Sequence, residues 1–251
     1  DAVDVIVSDW LWVSHQRHRG GDLSFVGHSL AVGGVMVPSG SPIHELRDLV
    51  GRKVGIAGGP NDKSWLLLRA YAKKTANLDL ARAVDANFAA PPLLNRLALD
   101  GRLDAVLNFW QFDARLRTAG FRELLPVSNI LPALGIKRAP PLLGWVFHEN
   151  WARQHDSLIR GFLAASFEAK RRLLTSDEEW TALRPMMKAE DDALFTALRD
   201  GYRQGIPTGW NSADAEAAKQ AFAVIVETAG PAVVGGDDAL ANGTFWTGFT
   251  P

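Results

Sequence analysis

The stretch from Lys53 to Lys74 constrains the fold more than any other part of the 251-residue chain. A short apolar run, Lys53 to Ala57, ends at Gly58-Gly59-Pro60 and gives way to Asp62 to Lys74, which places Trp65, Leu68 and Ala72 on one helical face. This reads as a strand, a glycine turn and a helix, the repeating unit of an α/β layer. Similar punctuation surrounds it. Val3 to Val7 is a β-branched run that reads as a buried strand ending in the polar loop Ser8-Asp9-Trp10. Ala31 to Pro38 is a second such run, broken at Pro38-Ser39-Gly40-Ser41-Pro42. Leu93 to Leu99 reads as helix, Gly101 as a turn and Leu103 to Phe109 as strand. The alternation predicts a mostly parallel sheet with helices on its faces.

The architecture changes near residue 150. Pro140-Pro141 precedes a further strand, Leu142 to Phe147, and from Trp151 onward the chain reads as helical over Ser157 to Leu174, Glu178 to Lys188, Asp191 to Tyr202 and Ala213 to Thr228. Acidic groups at Asp177-Glu178-Glu179 and Glu190-Asp191-Asp192 complement helix starts. The glycine-rich tail from Gly235 to Pro251 is expected on the surface.

With 47% hydrophobic residues the chain can bury a sizeable core, and its formal net charge of -1 offers no basic field to gather phosphates, which argues against nucleic acid as a partner. No apolar run approaches the roughly 18 residues needed to span a bilayer. Cysteine is absent, which rules out disulfides, thiolate nucleophiles and Cys-ligated zinc in this chain and suits an oxidising compartment. Asp1-Ala2-Val3-Asp4 is acidic and runs straight into a strand, so no signal peptide is expected within this chain. The histidines at 15, 18, 28, 44, 148 and 155 form no His-Glu-x-x-His pattern, and His15 and His18, beside Arg17 and Arg19, read as a solvated basic loop rather than a metal pair. Hydrolase-elbow and phosphate-loop motifs are absent from the sequence as well. No catalytic residue, metal ligand or cofactor is therefore assigned.

Val35-Met36-Val37-Pro38, Ser41-Pro42-Ile43 and Leu46-Arg47-Asp48-Leu49-Val50-Gly51-Arg52-Lys53-Val54-Gly55-Ile56-Ala57 occur in that order. Gly58 to Tyr71, then Leu99-Asp100-Gly101-Arg102-Leu103-Asp104-Ala105-Val106, then Phe147 to Trp151 with Leu158 to Leu163, complete the series. The series resembles the substrate-binding proteins of the nitrate, taurine and alkanesulfonate importer family, whose relatives also bind thiamine-pyrimidine precursors. Val50 stands where that family usually has lysine.

The resemblance implies a two-lobed α/β fold of the periplasmic-binding-protein type (type II). Lobe 1 is expected from 1–37 and 150–251, lobe 2 from 38–149, with crossings near Pro38 to Ile43 and Gly144 to Glu149. Family members begin with two further strand–helix pairs, so the N-terminal part of the first lobe is expected to be missing from this chain. The implied role is capture of a small organic molecule, a sulfonate, zwitterion or nitrogen heterocycle, in the interlobe cleft for an ABC permease of the inner membrane. The location is then periplasmic, or lipid-anchored and extracellular, and the state monomeric. The alternative is an enzyme on the same fold acting on a small cyclic or pyrimidine-type substrate, with His28 or Asp9 as its acid or base. A third reading is a sensing module fused to a receptor.

Ligands in open α/β sheets sit beyond the carboxyl ends of strands. Ser8, Asp9 and Trp10, then Asn61, Asp62, Lys63, Ser64 and Trp65, then Asn108 and Trp110 follow the expected strands and form the candidate ligand-binding set. The glycine turn before Asp62 offers free backbone N–H groups to an anion. Trp10, Trp12, Trp65 and Trp110 offer flat apolar faces. Asp9 and Asp62 oppose a simple anion and favour a zwitterion, an amine or a nitrogen heterocycle over nitrate or a plain sulfonate.

Overall fold

In the computed structural model, which describes residues 3–251, two separate sheets organise the chain. In order, the elements are β1 (Val5–Ser8), α1 (Trp10–His18), β2 (Leu23–Ser29), β3 (Gly34–Pro38), β4 (Lys53–Ala57), α2 (Lys63–Ala76) and α3 (Leu80–Ala83). There follow β5 (Asp85–Ala89), α4 (Pro91–Leu99), β6 (Ala105–Leu107), α5 (Trp110–Thr118), β7 (Phe121–Pro126) and α6 (Val127–Ala133). The chain ends with β8 (Leu143–His148), α7 (Glu149–Gln154), α8 (Asp156–Thr175), α9 (Asp177–Met187), α10 (Asp192–Gln204) and α11 (Ser212–Ala229). Asp1 and Ala2, at the head of the expected first strand, lie outside the described residues.

The smaller sheet has the order β1-β8-β2 and the larger β5-β4-β6-β3-β7. Within the larger sheet β4 runs parallel to β5 and β6, while β3 is antiparallel to both β6 and β7. In the smaller, β8 is antiparallel to β1 and β2. Each sheet is therefore parallel except for one inserted strand. Strands that run parallel in one sheet need crossover connections, which α1, α2, α4 and α5 supply. The two reversed strands, β3 and β8, are those the chain enters directly from the other sheet. Those entries lie at 30–33 and 134–142, before β3 and β8, rather than at Pro38 to Ile43 and Gly144 to Glu149. The apolar run Ala31 to Pro38 continues through the first crossing and hid it, whereas the second carries Lys137, Arg138 and the Pro140-Pro141 break before β8.

α2 illustrates why these residues take these places. Asp62 caps it by accepting from Ser64 N at 2.8 Å, and Asn77 closes it in the left-handed region. Leu66, Leu67 and Leu68 are all buried, on every side of the helix, because α2 lies between the sheet and α11. Each leucine withdrawn from water is worth about 1.5–3 kcal/mol. α11 packs on α2, and its small residues Ala217, Ala218 and Ala221 are buried. α10 packs on α5 through Leu194, Leu198 and Ala114. α8 instead lies against the smaller sheet, where Ser166 Oγ accepts from Trp145 Nε1 at 3.0 Å. The C-terminal helices thus bridge both sheets instead of gathering on the first, as 150–251 had been expected to do.

The tail is not a surface appendage either. Phe25 N donates to Thr244 O at 2.8 Å and Trp246 N to Phe25 O at 2.9 Å, so the tail covers the outer edge of β2. Trp246 packs edge-on to Phe147. The opposite edge is open: among the described residues β1 pairs with β8 alone, and Ile6 and Val7 are 39% and 46% exposed. Phe162 and Leu158 of α8 are exposed as well. Among the described residues the smaller sheet has three strands.

Candidate functional site

A cleft of about 620 Å³ opens between the two sheets, beyond the carboxyl ends of β1, β4 and β6. The smaller-sheet side contributes Asp9, Trp12 and His15 from the start of α1. The larger-sheet side contributes Asn61 to Ser64 at the start of α2, and Phe109 to Gln111 at the start of α5. Val32 of the crossing, Leu142 before β8, and Val233 and Val234 of the tail complete its apolar lining. The lining is mostly apolar with a few polar groups, as small-molecule sites generally are.

Charge in the cleft is largely spoken for. Lys63 Nζ stands 3.0 Å from Asp9 Oδ2, and the lysine is buried. Asp9 Oδ1 also accepts from Trp12 N at 2.9 Å and so caps α1. Asp62 Oδ1 takes the Ser64 and Trp65 amides, which leaves the first turn of α2 already served by protein. Burial raises the Asp62 carboxyl above the ordinary carboxylate range, against the lowering pull of Lys63 and of its two amide bonds. Gly58 permits this cap: at φ +79° it sits so close that a Cβ would stand 2.7 Å from Asp62 Oδ2. α5, by contrast, begins at the cleft with no side-chain cap. Its opening amides are the backbone donors that remain for a ligand. Trp110, beside them, is held edge-on by Tyr202 at 6.0 Å.

Residues 1–179 match the family model described as "NMT1/THI5 like". The chain belongs to the NMT1/THI5-like family. A search of curated proteins found no match to it. Among solved structures it is similar to the periplasmic aliphatic sulphonate binding protein SsuA from Escherichia coli, with TM-score 0.75 and 18% identity over 98% of this chain and 76% of that one. It is similar also to the alkanesulfonate-binding protein SsuA from Xanthomonas axonopodis pv. citri bound to MOPS, with TM-score 0.75, 16% identity, and coverage of 98% and 81%. An ABC transporter protein from Parabacteroides distasonis follows at TM-score 0.69 and 12% identity, covering 98% of this chain and 81% of that one. The fold is therefore that of the periplasmic binding proteins.

In this NMT1/THI5-like chain, Asp9, Asn61, Asp62, Lys63, Ser64 and Trp110 of the candidate set line the cleft together. Ser8, Trp10, Trp65 and Asn108 do not. Trp10 is fully buried, its Nε1 donating to Pro141 O at 3.1 Å, because the expected loop is the first turn of α1, on which Trp10 takes the core side while Asp9 and Trp12 line the cleft. Trp65 is 2% exposed and packs edge-on to Phe88. Asn108 spends its amide on Pro91 O and Asn95 Oδ1, and its Oδ1 on Phe109 N, so it fixes the loop after β6. His28, a candidate base for the enzyme reading, lies on β2 against Trp145 and is absent from the cleft lining. His15 and the tail segment Ala232 to Gly235 were missed. Read as a helix, Asp9, Trp12 and His15 recur every third residue and share a face; that spacing was the available signal.

Proposed function

We propose that the protein is the solute-binding component of an ABC importer and takes a small organic molecule, a zwitterion or nitrogen heterocycle, into the cleft between its sheets. Lobe 1 is then built on β1, β2 and β8, and lobe 2 on β3 to β7, with the links at 30–33 and 134–142 absorbing hinge rotation. Family membership and the SsuA-like fold support the role. The same likeness supports a periplasmic location and a permease partner. No helix among the described residues is long and apolar enough to cross a membrane.

The ligand class rests on one observation: Lys63 is neutralised by Asp9 at 3.0 Å, while Asp62 adds a second carboxyl. A simple sulfonate entering here meets two carboxylates and one committed cation. A ligand carrying its own positive or N–H donor group meets acceptors, with Trp12 and Trp110 available to its flat face. An acidic group on the same molecule has the uncapped start of α5. The enzyme reading lacks a free acid or base at its former candidates, since Asp9 is occupied twice and His28 lies outside the cleft lining.

A thermal-shift panel of sulfonates, amino acids, pyrimidines and small aromatic acids tests this, because a ligand of the native state raises its melting temperature. Amino acids or pyrimidines are expected to give the largest rise. A rise from plain alkanesulfonates alone overturns the ligand class, and no rise from any member overturns the solute-binding reading for this set.

A further inference from the structure

The segment after α11 touches the cleft and α1 at once. Ala232 to Gly235 stand in the cleft wall. Beyond them the segment is tied down: Ala241 N donates to Ser14 Oγ at 2.9 Å, Arg17 Nε to Asn242 O at 2.6 Å, and Ser24 Oγ to Gly243 O at 2.8 Å. Between wall and ties sits Asp237. Its Oδ2 lies 3.8 Å from His15 Nδ1 and its Oδ1 3.6 Å from His18 Nδ1, on imidazoles one helical turn apart. Neither distance is a hydrogen bond. His15 Nδ1 and Asp237 Oδ2 are both buried with no hydrogen-bond partner. Gly235, at φ +92°, leans on the His15 ring so closely that a Cβ would lie 2.1 Å from Nδ1.

The chemistry of His18 gives the sign. Its Nε2 lies 3.0 Å from Ala239 O, and a carbonyl can only accept, so the ring's first proton sits on Nε2. The neutral ring therefore turns a lone pair from Nδ1 toward an Asp237 carboxylate oxygen. Only the imidazolium satisfies both sides. The other charged groups of these two segments do not compete: Arg17 is engaged by Glu149 at 3.2 Å, while Arg19 and Asp238 are exposed. Across the cleft Lys63 is held by Asp9, and Asp62 lines the same cleft.

We propose that residues 230–243 form a proton-sensitive strap: protonated His15 and His18 clamp Asp237, which fixes the cleft wall at Ala232 to Gly235 and turns His15 toward the solute. The last clause rests on the solute-binding reading; the strap itself does not. Hydrogen exchange by mass spectrometry on the full chain from pH 8 to pH 5.5, corrected for intrinsic rates, reads it without any ligand. The span crosses the range in which histidine changes charge. Amides of 232–246 are expected to gain about three- to tenfold in protection at the acid end, the scale of two partly exposed ion pairs. Peptides from α2 serve as the internal reference. The gain should vanish in Asp237→Asn and in the double variant His15→Gln with His18→Gln. Equal protection at both ends in the wild type, or a gain that survives in Asp237→Asn, overturns the strap. A failed solute panel with an intact pH gain leaves the strap standing and removes only its role toward the solute.

Discussion

Replacing Lys170 by methionine tests how α8 is held against β2. Lys170 is 3% exposed, and its Nζ lies 2.7 Å from Nδ1 of His28, whose ring packs on Trp145 at 4.4 Å. No carboxylate lies within ion-pair distance of it among the described residues. Burial lowers the Lys170 ammonium from 10.5 to about 8. Burial first, and the lysine's charge second, lower His28 from 6.5 to about 4. A fall from 10.5 to about 8 is a penalty of roughly 3 kcal/mol, present in full below pH 8. Between about pH 8 and 10.5 the unfolded chain binds more protons at this site than the folded one, so stability rises with pH across that window. Methionine removes the penalty but leaves His28 Nδ1 without its donor, a loss of about 1–2 kcal/mol. Lys170→Met should therefore be more stable than wild type by about 1–2 kcal/mol at pH 7. Urea unfolding followed by circular dichroism, run on both proteins from pH 7 to 10.5, measures the difference while other groups cancel. The advantage should shrink and reverse by pH 10.5. A variant less stable than wild type at pH 7, or a difference independent of pH, refutes the reasoning.

Trp10→Ala and Trp65→Ala should each lose about 3–5 kcal/mol of stability, since both side chains are buried, whereas Trp110→Ala should keep the fold; chemical denaturation separates them. Gly33→Ala places a methyl 1.8 Å from Asn108 O and 2.5 Å from Asp113 Oδ2 at the crossing into β3, so a loss of about 3 kcal/mol is expected in the same assay. Equal stability to wild type would mean that the crossing shifts freely.

The legible parts of the sequence were those where periodicity and punctuation agreed. β4 falls on Lys53–Ala57 as read, and α8 to α11 follow the expected helices to within about two residues, because amphipathic stretches bounded by caps leave little choice. α1 was missed: Trp10-Leu11-Trp12-Val13-Ser14-His15 mixes faces, and its cap, Asp9, resembles a loop residue. β5 and β7, Asp-Ala-Asn-Phe-Ala and Phe-Arg-Glu-Leu-Leu-Pro, are edge strands with polar residues and no clean alternation. The aromatic half of the site was only partly readable. A tryptophan after a strand end points into the cleft or into the core according to the helix that follows, so Trp110 lines the cleft while Trp10 and Trp65 do not. The polar half fared better, since Asp9, Asp62 and Lys63 meet through the convergence of β1 and β4 on one cleft.

The central claim is that a solute binds between the sheets against Asp62 and Trp110. Calorimetric titration of the panel compound with the largest thermal shift, into wild type, Asp62→Asn and Trp110→Ala, tests it most directly. Single-site binding to wild type, weakened about tenfold or more in each variant with circular dichroism unchanged, is the predicted result, a loss of about 1.4 kcal/mol or more. Unchanged affinity in both variants would contradict it.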